Sequence, residues 1–444
     1  MTFTSLKLSV PLLSAIAEKG YTVPTPVQIA AIPAVLRGAD VWASAQTGSG
    51  KTAAFALPLL QRLSVSRRPA GRFVRALILV PTRELAVQIG ESIRRYGRFL
   101  AEPVKTLVVY GGVSINPQMM ALGGGADVIV ATPGRLLDLL NHNAVSLGSV
   151  ATVVLDEADR LLALGFSEEL AQIVMRLPER RQTLLFSATF PAEVEELAKS
   201  LLRDPVRVEV ATTVEEAPDI EQRAIEVDAP RRTQLLRHLI ETQGWTRVLV
   251  FVATKYATEH VAEKLRRAGL KAAAMHGELS QGARMAALAD FKASKLQVLV
   301  ATDLAARGLD IVSLPVVVNF DLPRSPADYT HRIGRTGRAG EHGVAVNFIS
   351  ADTHAHFQLI EKRNRLGLVR EQIAGFEPEG TGMFALSDAA GGPAEAPGTG
   401  GIKGRRPSKK DRYRAALARE EAEQAAGGAE KNVGGVPSPR GDRI

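Results

Sequence analysis

The 444-residue chain contains no cysteine. That absence excludes a disulfide framework, a thiolate zinc site and a cysteine nucleophile, and it fits a reducing compartment. Long apolar runs are lacking too: stretches such as Ala76 to Val80 and Val248 to Ala253 fall far short of the ~20 residues a membrane-spanning helix needs. The opening Met1-Thr2-Phe3-Thr4 has no basic stretch followed by an apolar segment and a small-residue cleavage site, so nothing reads as a secretory leader and the cytoplasm is the default expectation. What the chain does have is a globular composition, 45% hydrophobic and 23% charged, which is enough over this length for two buried cores and an appendage. Its 55 Lys and Arg against 47 Asp and Glu leave a formal charge of +8, which favours a polyanionic partner such as nucleic acid.

Short β-rich apolar runs alternate with helical stretches: Asp40 to Ala45, Arg75 to Pro81, Lys105 to Tyr110, Asp127 to Ala131, Ala151 to Leu155 and Gln182 to Phe186. The pattern repeats at Arg247 to Val252, Lys271 to Met275, Gln297 to Ala301, Val316 to Phe320 and Gly343 to Ile349. Such alternation predicts an α/β protein with two lobes, each a mainly parallel sheet covered by helices. Val128-Ile129-Val130-Ala131-Thr132 in the first half echoes Val298-Leu299-Val300-Ala301-Thr302 in the second, which hints at duplication. The expected boundaries are 1–210 for the first lobe, 211–220 for a linker around Ala211 to Pro218, 221–370 for the second lobe and 371–444 for a tail. The tail runs through AGGPAEAPGTGG into KGRRPSKKDRYR, a composition that buries too little surface to offset chain entropy, so it reads as disordered and basic, with a short helix expected from Asp411 to Ala426.

Ala45-Gln46-Thr47-Gly48-Ser49-Gly50-Lys51-Thr52 follows a strand and precedes a helical run. Glycines there let backbone N–H groups curl around phosphate at a helix N-terminus, Lys51 meets the terminal phosphates and Thr52 offers a hydroxyl to Mg²⁺. An ordinary Gly-rich turn is the alternative, and the first position holds Ala45 where the general pattern has Gly. Asp156-Glu157-Ala158-Asp159 stands directly after an apolar strand, at the carboxyl edge of a sheet where α/β folds bind ligands. Asp156 suits the Mg²⁺ shell, and Glu157 suits a base that orients and deprotonates water for phosphoryl transfer. An acidic helix start favoured by the macrodipole is the competing account of an isolated pair.

These two motifs together make the chain resemble the DEAD-box RNA helicases, and its N-terminal half is similar to the bacterial RhlE-type branch. The resemblance runs from Phe3 to Gly340 and implies two RecA-like lobes, ATP with Mg²⁺ in the cleft between them, and single-stranded RNA across both. Gly20-Tyr21-Thr22-Val23-Pro24-Thr25-Pro26-Val27-Gln28 resembles the family's adenine-reading motif, with Phe3 as its upstream aromatic. An amide such as that of Gln28 can donate to one adenine edge atom and accept from the next. The resemblance puts Phe3, Tyr21, Gln28, Gln46, Thr47, Gly48, Ser49, Gly50, Lys51, Thr52, Gly308 and Asp310 on the nucleotide. Pro81, Thr82 and Arg83, the pair Gly111 and Gly112, and Thr132, Pro133, Gly134 and Arg135 resemble RNA-contacting motifs, groups that bind a sugar-phosphate backbone without reading bases. Each could equally be a turn or a helix cap.

Ser187 and Thr189 resemble the segment linking hydrolysis to RNA, although two small hydroxyls also suit a helix N-cap. In the second half, Ala301 to Asp310 and His331 to Arg338 match the family's last two motifs. Arg335 and Arg338 resemble arginine fingers, His331 and Arg332 interdomain contacts, and Arg284 and Thr302 RNA contacts, whereas the i, i+3 spacing of Arg332, Arg335 and Arg338 otherwise suggests a solvated helix stripe. Gln281 and Phe251 sit where further motifs fall, and Ala163 stands where relatives commonly carry Asp. The resemblance implies an RNA-dependent ATPase that unwinds short duplexes or remodels RNA–protein complexes, with ribosome-assembly or RNA-turnover proteins as family-level partners and no membrane. A DNA translocase and an RNA clamp with little unwinding are the rivals. Stimulation by DNA would mark the first, ATPase activity without strand separation the second.

Overall fold

The structure, a computed structural model, describes residues 2–45, 48–66, 73–209, 219–306, 314–337 and 341–379. The first lobe is a seven-stranded sheet of β1 (Val41–Ser44), β2 (Val74–Leu79), β3 (Thr106–Val109), β4 (Ala126–Ala131), β5 (Thr152–Leu155), β6 (Gln182–Ser187) and β7 (Val206–Glu209). Its helices are α1 (Val10–Glu18), α2 (Pro26–Leu36), α3 (Lys51–Val65), α4 (Arg83–Gly97), α5 (Asn116–Leu122), α6 (Pro133–Asn141), α7 (Ala158–Ala163), α8 (Ser167–Val174) and α9 (Ala192–Leu201). The second lobe has β8 (Ile220–Glu226), β9 (Val248–Val252), β10 (Ala272–Met275), β11 (Val298–Thr302), β12 (Val316–Asn319), β13 (Gly343–Ile349) and β14 (Arg370–Glu371). Around them pack α10 (Arg232–Thr242), α11 (Lys255–Arg267), α12 (Gln281–Lys292), α13 (Asp303–Ala306), α14 (Pro326–Ile333) and α15 (His354–Asn364).

Every strand pair among the described residues is parallel. The strand orders are β3-β4-β2-β5-β6-β1-β7 and β10-β11-β9-β12-β13-β8-β14, the same permutation twice. The echoing segments Val128 to Thr132 and Val298 to Thr302 fall on β4 with the residue after it and on β11, equivalent places in the two sheets. Helices on both faces explain the continuous apolar runs, because a strand covered twice must be apolar at every position. Along β2 the buried side chains alternate between two cores, Ala76 and Ile78 to one and Leu77 and Leu79 to the other. Val248 and Val250 of β9 alternate with Leu249 and Phe251 in the same way.

Three strands escaped the sequence reading. β8 is Ile-Glu-Gln-Arg-Ala-Ile-Glu, mostly polar, and β14 is only two residues long. β7, Val-Arg-Val-Glu, is short and half-exposed. The second lobe therefore begins at Ile220, inside the expected linker, and extends past residue 370: Ile373 and Phe376 pack on its core. Residues 211–218 of the linker and 380–444 of the tail, including the expected helix from Asp411, lie outside the described residues. Among the described residues no helix is long and apolar enough to cross a membrane.

Candidate functional site

The carboxyl edge of the first sheet opens into a cleft of about 460 Å³. Gly48 and Gly50 both hold positive φ, 87° and 89°, a conformation that suits glycine, and Gly50 is the N-cap of α3. This geometry delivers Lys51 and Thr52 into the cleft at a helix N-terminus, where backbone N–H groups and the helix dipole favour an anion. Lys51 is buried and its Nζ donates to the Ala45 carbonyl at 2.9 Å, which folds the loop back on its own start. Ser49 lies between the two glycines; Gln46 and Thr47 are outside the described residues.

Phe3, Tyr21 and Gln28 line the same cleft. Gln28 already makes bonds within the protein: its Oε1 accepts from the Thr25 N–H at 3.0 Å, and one N–H of its Nε2 donates to the Gly50 carbonyl at 3.1 Å. It thus closes a capping box on α2 and braces the phosphate loop at once. A Cβ at residue 50 would collide with this amide, a second reason for glycine there.

Asp156 and Glu157 face the loop across the cleft. Burial pushes the Asp156 carboxyl up to about 6, against the pull of Lys51 and with the push of Glu157. Glu157 sits in the left-handed region at φ 53°, uncommon for a residue with a side chain, and its carboxylate accepts from Arg160 Nη1 at 3.1 Å. Thr52, Asp156 and Glu157 offer only oxygen donors. No group of three His, Asp or Glu side chains among the described residues forms a metal cage. An oxygen donor set suits Mg²⁺, which keeps several waters and takes few protein ligands beside phosphate oxygens.

Asp159 joins this cleft to the segment after β6. Its Oδ2 accepts from the Thr189 N–H at 3.1 Å and hydroxyl at 2.8 Å, while its own N–H donates to the Ser187 hydroxyl at 3.2 Å. Neither hydroxyl caps α9, whose N-cap is Pro191; the Ser187 hydroxyl instead takes an N-terminal N–H of α7.

The other expected contacts line the same sheet edge. Thr82 caps α4 by accepting from Leu85 N–H at 3.3 Å, with Pro81 buried before it. The Arg83 guanidinium covers Gly112, whose φ is 75° and where any Cβ would strike it. Above Gly111 and Gly134 there is open space, the room a nucleic-acid backbone needs. Thr132 and Pro133 start α6, and Arg135 donates to the Val113 carbonyl at 2.7 Å while its buried Nε and Nη1 find no hydrogen-bond partner among the described residues. Thr302 ends β11 at the matching edge of the second sheet.

One expectation gains a second contact and another needs correcting. Arg284, expected on RNA, pairs with Glu84 of the first lobe at 2.9 Å, both side chains under 10% exposed, so it also bridges the lobes. Its Nε and both amide atoms of Gln281 remain without hydrogen-bond partners among the described residues. Arg332, expected as an interdomain contact, turns into its own lobe: Nε and Nη2 grip Asp303 at 2.6 and 2.7 Å and the guanidinium stacks over Phe251. It lies on the buried face of α14, which accounts for the turn inward. His331 instead faces Arg160 of the first lobe in a small pocket separate from the nucleotide cleft, and burial with that neighbouring charge holds its pKa below the ordinary value. α14 stops at Ile333, so Arg335 lies beyond the helix and does not extend a helical stripe from Arg332. Arg335 lines the same small pocket with Arg160 and His331; Gly308, Asp310 and Arg338 are outside the described residues. Lys292, from the end of α12, reaches the nucleotide side of the cleft, and no sequence motif pointed to it.

Residues 25–197 match the DEAD/DEAH box helicase family, and residues 231–340 match the helicase conserved C-terminal domain. The chain is 41% identical over 364 residues to the DEAD-box ATP-dependent RNA helicase CshA of Bacillus cereus, covering 82% of this chain and 68% of that one. It belongs to the DEAD-box ATP-dependent RNA helicases. The helicase is also 41% identical over 397 residues to the ATP-dependent RNA helicase DeaD of Mycobacterium tuberculosis, 88% of this chain and 69% of that one. Its two RecA-like lobes superpose on Saccharomyces cerevisiae Dbp5 bound to RNA and ADP BeF3 with a TM-score of 0.74, at 31% identity over 84% of this chain and 95% of that one. Against a variant of the same yeast protein bound to Nup159, Gle1, IP6 and ADP, the score is 0.56, at 30% identity over 83% of this chain and 96% of that one.

Proposed function

We propose that this helicase binds ATP between Phe3, Tyr21, Gln28 and the phosphate loop, and RNA along the carboxyl edges of both sheets. Lys51 neutralises the terminal phosphates and Glu157 orients the attacking water, with Arg160 holding its carboxylate. Thr52 and Asp156 would hold Mg²⁺, which supplies charge neutralisation at the phosphates when bound. Arg335 and Arg338 meet the charge that develops on the transferring phosphoryl group. The observation that carries the reading is the position of Asp159, tied at one end to Ser187 and Thr189 and adjoining the residues that face ATP. A change at the phosphates is thereby tied to the edge where Thr82, Arg83, Gly134 and Arg135 wait for RNA.

ATP and RNA together favour the lobe arrangement that pairs Arg284 with Glu84, and hydrolysis releases it. This cycle unwinds short duplexes or remodels RNA–protein complexes. The RhlE-type wording of the N-terminal half, a cytoplasmic location and ribosome-assembly or RNA-turnover partners belong to the same reading, as does a basic tail, rich in Lys and Arg from Lys403 to Arg419, that raises local RNA concentration. The test is RNA-stimulated ATP hydrolysis and duplex unwinding by the full chain. Stimulation by DNA as strong as by RNA would redirect the substrate assignment.

A further inference from the structure

The interior of the second lobe holds a file of polar groups that the nucleotide and RNA contacts leave unexplained. Arg332 Nη1 donates to Asn319 Oδ1 at 2.9 Å. Asn319 Nδ2 donates to Asn347 Oδ1 at 2.8 Å, Asn347 Nδ2 to the Tyr329 hydroxyl at 3.3 Å, and that hydroxyl to Gln222 Oε1 at 2.7 Å. Asn319 and Asn347 stand directly opposite each other on β12 and β13, Gln222 on the next strand β8. Asn319, Asn347 and Tyr329 have no exposed surface at all. Burial keeps the Tyr329 hydroxyl protonated, its pKa pushed up to about 12, so it serves as a donor throughout the working range.

Every link runs the same way, an acceptor turned toward the guanidinium and a donor turned away from it. The Arg332 charge polarises such a chain, and neither asparagine amide in it can flip without breaking at least two bonds. Apolar residues packed at zero exposure are at least as stabilising as buried polar ones, so stability alone does not account for the file. Its two ends do. Tyr329 and Arg332 are one turn apart on the buried face of α14, and Arg332 is clamped to Asp303, the residue after Thr302. The same helix carries His331, which faces Arg160 of the first lobe, and leads directly into Arg335, which lines the same small pocket.

We propose that Asn319, Asn347 and the Tyr329 hydroxyl are positioning residues that fix the rotation of α14, and through it the spacing between Arg335 and the Thr302–Asp303 edge. They touch neither substrate. They transmit RNA engagement at that edge into the placement of Arg335, an inference that rests on the reading of Arg335 given above.

The test uses the full chain with ATP and a single-stranded oligoribonucleotide, measuring melting temperature, KM for ATP, and rates with and without RNA. Asn319→Leu should lower the RNA-stimulated kcat about tenfold while the RNA-independent rate and the KM for ATP stay within about twofold, the signature of lost coupling. Tyr329→Phe, which removes one oxygen from a packed ring, should lower it about threefold in the same pattern. A lower melting temperature with unchanged RNA-stimulated kcat in both variants would reduce the file to a scaffold and overturn the proposal. A proportional fall in the RNA-independent rate would overturn it too. If Asn319→Leu does not fold, Tyr329→Phe decides by the same two criteria. Arg335→Ala separates the underlying reading: retained RNA stimulation there refutes the role of Arg335 itself, whereas its loss beside normal Asn319→Leu and Tyr329→Phe enzymes refutes only the positioning.

Discussion

Glu157 combines a left-handed backbone with a buried carboxylate held by Arg160, so its oxygens are fixed before substrate arrives. Replacing it by Gln keeps size and shape and removes the base. Glu157→Gln should retain ATP and RNA binding and lose about 10²-fold or more of turnover, whereas Lys51→Ala should lose ATP affinity, a split that titration and steady-state rates separate. Gln28 carries a different expectation from its motif alone. Because it braces Gly50 and caps α2, Gln28→Ala should cost about 1 kcal/mol and lower the melting temperature of this lobe by roughly 2–4 °C, besides relaxing the preference for ATP over GTP. An unchanged melting temperature would show the brace to be idle. The phosphate loop was legible in the sequence because glycines and Lys51 fall at fixed intervals along one loop. The bond from Gln28 to Gly50 and those of Arg332 were not, since the partners lie 22 residues away or on neighbouring strands.

α14 is the element on which pH should act. His331 on it titrates below its ordinary value with the lobes together, because burial and Arg160 disfavour its charged form. An opened cleft returns it to water and to an ordinary pKa near 6.5. The open form therefore takes up the proton more readily, so the His331 contribution to closure is complete above about pH 6.5 and is lost as pH falls through that value. RNA-stimulated ATPase should decline on the acid side, and His331→Gln should flatten part of that decline. Asp156 titrates at about 6 in the same window, so the His331 share is the difference between the two profiles. Identical acid limbs would exclude His331. Among elements, strands buried on both faces were legible from their unbroken apolar runs, such as β2, β4 and β9. β8 was hidden because its early residues keep polar side chains half in solvent while only Ala224 to Glu226 are buried.

For the whole molecule, the Glu84–Arg284 pair makes the lobe arrangement measurable. Either charge left alone in that buried contact is costly, so Glu84→Ala and Arg284→Ala should each weaken the mutual enhancement of ATP and RNA binding by about tenfold. The exchanged pair, Glu84→Arg with Arg284→Glu, should recover part of it, and independent, additive losses in a double-mutant cycle would show that the two residues act separately. The shared strand permutation has a further consequence, in the order of synthesis. β1, which leads into the phosphate loop, lies between β6 and β7, and its partners in register begin at Leu184 and Val206, more than 140 residues later. Contacts of such long range form slowly, and a chain growing from its N-terminus holds β1 without a neighbour on either side until nearly the whole lobe has emerged. The nascent phosphate loop is thus unable to trap nucleotide until residue 209 is available. A fragment ending at residue 180 should fail to bind ATP even though it contains Lys51, Thr52, Asp156 and Glu157, and a fragment ending at 209 should bind it.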